Sequence, residues 1–429
     1  MMHRRRIAMA LGVCALVAPR PAAAQDTVEA LVATALERSP EIRAARTAVA
    51  AAGGQVTQAG LRPNPTLSAN QLQMSGAQHQ TQVGIEWPLD LFRRPARLAA
   101  AQREVEATRH SIEDQERRLA SRVREQAGGL LAARRGVDVM TEALTAARRM
   151  RELLDSKVSE GDIPRLEANI AAVEVGRMEA DLALARADAD AGAVELRALV
   201  GLAGDVALLS RDSLETLVRV VPAPDPSAAQ TAPAPATLLS MRADVQEATA
   251  RVALADARVE EALRAGRMDM TLSGTYGHEF FGFAQRGFNE RGVLAPIEGS
   301  FNSVTFGATV LWPMRNRNQG AIATARAVRS GAQEVLDARQ LVARSELDAA
   351  AIRDREAKRA VEMYATIIRE QARQNVDVEL EAYDLGRTTL SEVLTEQRRY
   401  LDVEAAYTTV LKRAFDAQVA LRRARGEIR

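Results

Sequence analysis

Apolar and polar positions follow two periods along this chain, and each period occurs twice. Near the middle of the second half, Val304, Phe306, Ala308, Val310 and Trp312 fall on one side of a two-residue alternation, with Thr305, Gly307 and Thr309 on the other. That is the pattern of a strand with one apolar face. Val83, Ile85 and Trp87 alternate with Gly84 and Glu86 in the same way. Partner strands are expected at about 64–73 and 269–278, giving hairpins over about 64–88 and 269–312. The helical period takes over beyond each hairpin. Val105, Ile112, Leu119, Val123, Leu130, Val137 and Leu144 succeed one another at spacings of four or seven, and Val328, Val335 and Val342 repeat the spacing later. This is coiled-coil periodicity. It predicts long helices starting near Pro95 and Gly320, each spanning about 90 Å if some 60 residues are helical.

These elements are two copies of one unit. Trp87-Pro88 recurs as Trp312-Pro313, a shift of 225 residues, and Ala96, Ala100, Gly161, Glu167, Leu196, Arg197 and Gly201 recur at the same shift. Register held over so long a stretch marks a duplication. Earlier matches, such as Thr66-Leu67-Ser68 with Thr271-Leu272-Ser273, fall at a shorter shift, because the second copy carries an insert at about 277–302. Rich in Gly, Phe, Asn and Arg, that insert reads as a long loop. Each copy begins with a helix, expected at about 27–60 and 238–265, and ends with a turn at Gly161 or Gly386 and a helix running back. The expected division is a first repeat over 25–203, a Pro/Ala-rich linker over 204–237 that is irregular at 221–236, and a second repeat over 238–429.

Composition changes this picture in three ways. Aromatic residues are only 3% of the 429 and alanine is abundant, which suits helices packed closely through small side chains. The formal net charge of +1 gives no pull toward nucleic acid. The N-terminus, with Arg4, Arg5 and Arg6 before an apolar stretch at 7–18 and Ala22-Ala23-Ala24 before Gln25, reads as a signal peptide over 1–24. The single cysteine, Cys14, lies inside it and would leave with it; lipid attachment at Cys14 is the competing reading, with Val13 a poor fit to a lipobox. Downstream there is no apolar run of about 18 residues, so membrane crossing would have to be as a β-barrel. Four strands per chain cannot close a barrel, whereas three chains supply twelve. The expected fold is therefore mainly α with a small β part: a duplicated helix–β-hairpin–long helix–turn–helix unit, forming a long α-helical coiled-coil barrel plus a trimeric 12-stranded outer-membrane β-barrel. Trp87, Pro88, Trp312 and Pro313, at the strand-to-helix junctions, are expected at the membrane interface, where aromatic side chains gather.

The duplicated unit resembles the TolC-type outer-membrane efflux proteins over nearly the whole mature chain. Arg62-Pro63-Asn64-Pro65, Pro88-Leu89-Asp90-Leu91 and the string from Asn316-Arg317-Asn318-Gln319-Gly320 to Ala321-Ile322-Ala323 resemble the branch that serves cobalt–zinc–cadmium resistance pumps. The resemblance implies a homotrimeric channel in outer-membrane lipid that extends into the periplasm. Its implied partners are a periplasmic adaptor (membrane fusion) protein and an inner-membrane, proton-driven RND-type transporter. A channel for drugs or other organic solutes, or a periplasmic coiled-coil scaffold, is the alternative.

By the same resemblance the interhelical turns are the periplasmic tips. Glu167 and Glu392 align with acids that constrict the entrance, and rings of carboxylates there would favour cations. Tyr383 matches a tyrosine that latches the closed state; Thr388 stands where its arginine partner is expected, and Arg387 is adjacent. Gly161, Asp162, Gly386 and Leu390 mark the turns expected to meet the adaptor, and Thr395 stands where some relatives carry a second acid. No cofactor or resident metal site is expected. His3, His79, His110 and His278 include no pair at i, i+4, there is no CxxC, and Met268 and Met270 read as packing or barrel residues. Neither a phosphate-binding glycine loop, nor HExxH, nor GxSxG is present, so no enzyme motif competes with the channel reading.

Overall fold

The computed structural model describes residues 27–73, 78–203, 208–209, 211–218 and 239–427. The expected signal peptide with Cys14 and His3, the 221–236 linker and the β1–β2 turn lie outside the described residues. The described elements are α1 (Val28–Arg38), α2 (Pro40–Gly60), β1 (Thr66–Gln73), β2 (His79–Pro88), α3 (Arg93–Glu160), α4 (Arg165–Val200) and α5 (Leu214–Leu217) in the first half. The second half gives α6 (Ala243–Ala265), β3 (Asp269–Phe288), β4 (Leu294–Leu311), α7 (Gln319–Met363), a π-helical segment (Tyr364–Ile368), α8 (Arg369–Asp384) and α9 (Leu390–Arg425). The protein is thus mainly helical with one small antiparallel sheet, as the periodicities indicate. No described helix is long and apolar enough to cross a membrane.

The structure corrects four expectations. The 277–302 insert is not a loop: β3 and β4 stay paired from Asp269↔Leu311 out to Phe288↔Leu294. The reversal takes only a tight turn, in which Asn289 Oδ1 accepts from the backbone N–H groups of Arg291 (3.0 Å) and Val293 (3.1 Å) and Gly292 adopts φ +75°. The helix expected over 27–60 breaks at Ser39, because Pro40 supplies no N–H and starts a new helix at its first turn. The second long helix is interrupted by the π segment, which its counterpart α3 lacks. Finally, Val328, Val335 and Val342 are about half exposed, at 53%, 51% and 47%, while Leu336, Ala343 and Ala350 are buried. The second copy packs a small-residue stripe one position along, and its valines face outward from the single chain.

The chain divides into two compact units. One has its described part in 27–38, 122–218 and 359–416. Its core runs between the long helices, through Leu144, Ala147, Val175, Met178 and Leu182, and then through Leu154, Ala168, Ala171, Leu390 and Leu394. α1 starts where the Asp212 carboxylate accepts from the Val28 N–H at 2.7 Å, filling one of the unpaired donors of its first turn. α5 orders part of the span expected as linker, held by a capping box between Ser213 and Thr216. In this unit Glu404, 3% exposed, accepts from Arg135 Nη2 at 2.8 Å and Arg369 Nε at 2.7 Å. Both guanidinium groups also lie over the Tyr407 ring, at 4.9 and 4.4 Å.

The other unit has its described part in 39–121, 239–358 and 417–427 and contains the sheet. The strand order is β1-β2-β3-β4, antiparallel throughout. Val245, Ala248, Leu336 and Ala343 form a core between α6 and α7. Beside it Arg242, 1% exposed, donates to Asp244 (3.0 and 2.7 Å), to Glu346 (2.8 Å) and to the carbonyls of Ala343 (3.4 Å) and Ala424 (3.3 Å). Arg117 donates to the Arg423 carbonyl at 3.2 Å, so two buried arginines close the C-terminal end of α9.

Candidate functional site

Two features have the makings of a functional surface: the paired interhelical turns and the sheet. Each turn is closed by a left-handed glycine, Gly161 at φ +86° and Gly386 at φ +70°. In the first, the Gly161 and Asp162 N–H groups donate back to Val158 and Lys157; in the second, Gly386 and Arg387 donate to Tyr383 and Ala382. This is the Schellman arrangement, for which glycine is the residue of least cost.

Beside these turns the structure brings Tyr383 and Glu167 together. The Tyr383 hydroxyl donates to Glu167 Oε2 at 2.8 Å across 216 residues of sequence. Burial, with the Glu167 carboxylate beside it, pushes the Tyr383 pKa up to about 12, so the hydroxyl keeps the proton it donates. Lys157 lies 5.7 Å from the centre of the Tyr383 ring and 3.9 Å from Asp384. The Thr388 hydroxyl, where an arginine was expected, lies 2.6 Å from both Glu379 Oε1 and Glu392 Oε2 and has one proton to donate between them.

Glu392 is held differently from its repeat counterpart. Its carboxylate accepts from the Thr389 N–H at 2.8 Å and from the Thr388 and Thr389 hydroxyls, while its own N–H donates to Thr389 Oγ1. That is a capping box at the start of α9. These hydrogen bonds hold the Glu392 carboxyl below the usual carboxylate range. In the first copy Pro164 occupies the cap position and has no side-chain acceptor, which leaves Glu167 for Tyr383. Leu390 is buried among Leu154, Ala168, Ala171 and Leu394, so it supports the turn from within. Lys157, Asp384 and Glu379 were not singled out in the sequence, although Thr389-x-x-Glu392 is a legible capping signature.

The sheet has two faces of opposite chemistry. Leu67, Val83, Ile85, Trp87, Met270, Leu272, Tyr276, Val304, Phe306 and Val310 share one face by strand register, and Trp312 continues it. Trp87 is 45% and Trp312 70% exposed, and Phe306 reaches 85%. The opposite face over the same rungs carries Thr66, Ser68, Asn70, Gln82, Glu86, Asp269, Thr271, Ser273, Thr275, Ser303, Thr305 and Thr309. Its charged side chains, with Glu279 one rung further out, are all acidic. β1 and β4 each pair on one side only among the described residues. An apolar face this exposed beside two open edges is not a finished surface in water.

The histidines do not converge. His79 stacks on Phe280 at 5.0 Å, His278 Nδ1 meets Asn302 at 2.8 Å and His110 Nδ1 meets Glu113 at 2.9 Å. Among the described residues no group of three or more His, Cys, Asp or Glu side chains is placed to hold a metal ion.

Residues 31–202, which make up most of the first copy, match the family model for outer membrane efflux proteins. Over that stretch the chain is similar to the outer membrane efflux proteins. The cobalt-zinc-cadmium resistance protein CzcC of Cupriavidus metallidurans is 23% identical over 411 residues, covering 96% of this chain and 92% of the relative. Solved structures share the fold at low identity. CusC superposes with a TM-score of 0.74 at 16% identity, over 94% of this chain and 93% of that chain. The open state of the Neisseria gonorrhoeae MtrE outer membrane channel gives 0.74 at 17%, over 94% and 90%, and VceC of Vibrio cholerae gives 0.71 at 20%, over 93% and 96%.

Proposed function

We propose that three copies of this chain close a twelve-stranded barrel and form the exit duct of a pump that expels divalent heavy-metal cations. The adaptor and the proton-driven RND-type transporter are its partners, and the two repeats, 25–203 and 238–429, each supply one hairpin and one set of helices. Three observations support the barrel. Open β1 and β4 edges need partners, one sheet face is apolar, and the stretch from Met270 to Tyr276 with the neighbouring Trp312 makes a band roughly 20 Å tall at a barrel tilt of about 40°. Lipid meets the apolar face and the lumen meets the polar one, with Trp87 and Trp312 at the inner membrane surface.

The cation reading is carried by the polar face. Glu86, Asp269 and Glu279 are its charged side chains, so three chains line the lumen with carboxylates and no opposing cations. The similarity to CzcC, whose name states cobalt, zinc and cadmium resistance, points the same way. A deletion strain should become sensitive to zinc, cobalt and cadmium and recover when the gene is restored. Sensitivity confined to antibiotics and detergents would keep the duct and overturn its cargo.

At the tips, Tyr383 and Glu167 fasten one turn to the other within the chain, Arg387 and Thr388 stand with them at the constriction, and the turns at Gly161, Asp162, Gly386 and Leu390 meet the adaptor. Replacing Glu167 and Glu392 together by glutamine should lower the cation preference of single channels in a bilayer, read as a shift of reversal potential. The Glu167 substitution should account for most of it, because Glu392 is already engaged in its own cap. Unchanged selectivity would place both acids away from the constriction.

A further inference from the structure

The face of the sheet opposite the lipid face turns apolar further along its length. Up to the rung of Tyr276 and Val304 the apolar side chains of the paired β3 and β4 rungs, Leu311 at the end apart, lie on the face assigned to lipid. From the next rung outward that face mixes His278, Asn302, Ser300, Glu298 and Arg286 with Phe280, Phe288 and Leu294, whereas Phe301, Phe281, Phe283 and Ile297 gather on the opposite face from the Glu279 rung outward. Phe281 is the centre of this second cluster, 5.7 Å from Phe283 and 6.3 Å from Phe301 between ring centroids. Gly299 makes room for it: a Cβ there would come within 2.7 Å of the Phe281 ring. Yet Phe283 and Phe301 are each 49% exposed and Ile297 43%, so the single chain leaves the cluster uncovered.

Lipid explains an apolar face only as far as the bilayer reaches. Beyond it, water bathes the outside of a barrel, and polar side chains there are ordinary. An apolar face turned inward at that height lacks such an explanation, since an open lumen is also water. What stands across the lumen is the same face of a symmetry-related copy. β1 ends at the rung Gln73–His79, paired to Phe280, so the hairpin runs on past it through Phe288 with no β1 strand of equal length to continue the wall. A register shift between Phe283 and Arg286 bends it there.

We infer that the outer part of the β3–β4 hairpin is a hydrophobic gate, in which the Phe281, Phe283, Phe301 and Ile297 faces of the three copies lean together across the outer mouth of the channel. This rests on the trimeric-barrel reading above. Burial of the rings against one another drives closure, and a narrow apolar constriction excludes water and hydrated ions until the hairpins part.

Cross-linking tests it in the full-length protein purified in detergent. Light scattering first measures the mass of the assembly. Phe283→Cys and, separately, Ile297→Cys are then oxidised with copper phenanthroline; Val304→Cys, on the outer face, is the control, and the unsubstituted protein, with Cys14 as its one cysteine, sets the background. A trimer should link at 283 or 297 and not at 304. Because three thiols at one axis can form only one pair, roughly two-thirds of the chains should run as dimers. A trimer that links at neither gate position overturns the gate while leaving the barrel intact. A trimer that instead binds the apolar dye ANS at this cluster without linking assigns the face to cargo and overturns the gate too. A monomeric mass overturns the barrel reading itself.

Discussion

Replacing Arg242 with alanine is expected to unfold the sheet-bearing unit at temperatures the parent protein survives. The side chain is 1% exposed and makes five hydrogen bonds, so the substitution does more than open a cavity. It leaves Asp244, itself 8% exposed, with Arg117 at 3.6 Å as its nearest remaining cation in the cluster. It also removes the Arg242 donor from the Ala343 and Ala424 carbonyls. Breaking a buried pair by removing one partner costs about 3–5 kcal/mol, because the other charge stays behind unpaired. Loss of helical circular dichroism on heating should therefore come several degrees earlier. Arg242→Ala combined with Asp244→Asn should recover part of the loss; if the single and double variants melt alike, the buried charge is not the cause.

The same pair makes a pH prediction. Burial opposes ionisation of Asp244, but the hydrogen bonds and charge of Arg242, with Arg117 behind it, outweigh burial and hold its carboxyl below the usual range. A carboxyl whose folded pKa is depressed stabilises the fold above its unfolded pKa, and this contribution is lost as pH falls through the folded one. Stability from this cluster should thus be complete above about pH 5 and decline below about pH 4.

Glu404→Ala is expected to have an effect of similar size in the other unit. Glu404 stands between Arg135 and Arg369, and Tyr407 lies against both guanidinium groups. Without the carboxylate, two cations share one apolar surface with Glu215, on Arg135, as the remaining acid. The cost is again about 3–5 kcal/mol. Burial works against ionisation of Glu404, and the two arginines reverse it and hold the carboxyl low, so this stabilisation too fades only in acid. Because the π segment Tyr364–Ile368 abuts Arg369, hydrogen exchange should rise first there and along α8. Unchanged protection in α8 would show that Glu404 does not hold that segment.

The sequence disclosed the duplication, the long helices and the short strands because each rests on a periodicity that tertiary context leaves intact. It was less informative where one residue serves two patterns. The alternation of Gly and Phe past residue 277 is a strand, but glycine has poor strand propensity and hid it; only the rings in between show the two-residue period. The break at Ser39 was readable from Pro40 alone. The valine heptad at 328, 335 and 342 has the right spacing yet the wrong face, since periodicity finds a stripe without saying what covers it. At the turns, repeat alignment made Glu167 and Glu392 look equivalent. One residue three positions earlier separates them: Thr389 claims the second as a cap, and Pro164, with no side-chain acceptor, releases the first to Tyr383.

The unequal hairpins carry an evolutionary consequence. A ring built from many identical single-copy subunits must change all its hairpins at once, so lengthening one lengthens every one and crowds the mouth. Here the strands of the first copy are 8 and 10 residues long and those of the second 20 and 18. In the proposed trimer, duplication within one chain lets long hairpins alternate with short ones, so mutation can reshape the outer rim without touching the wall beneath it.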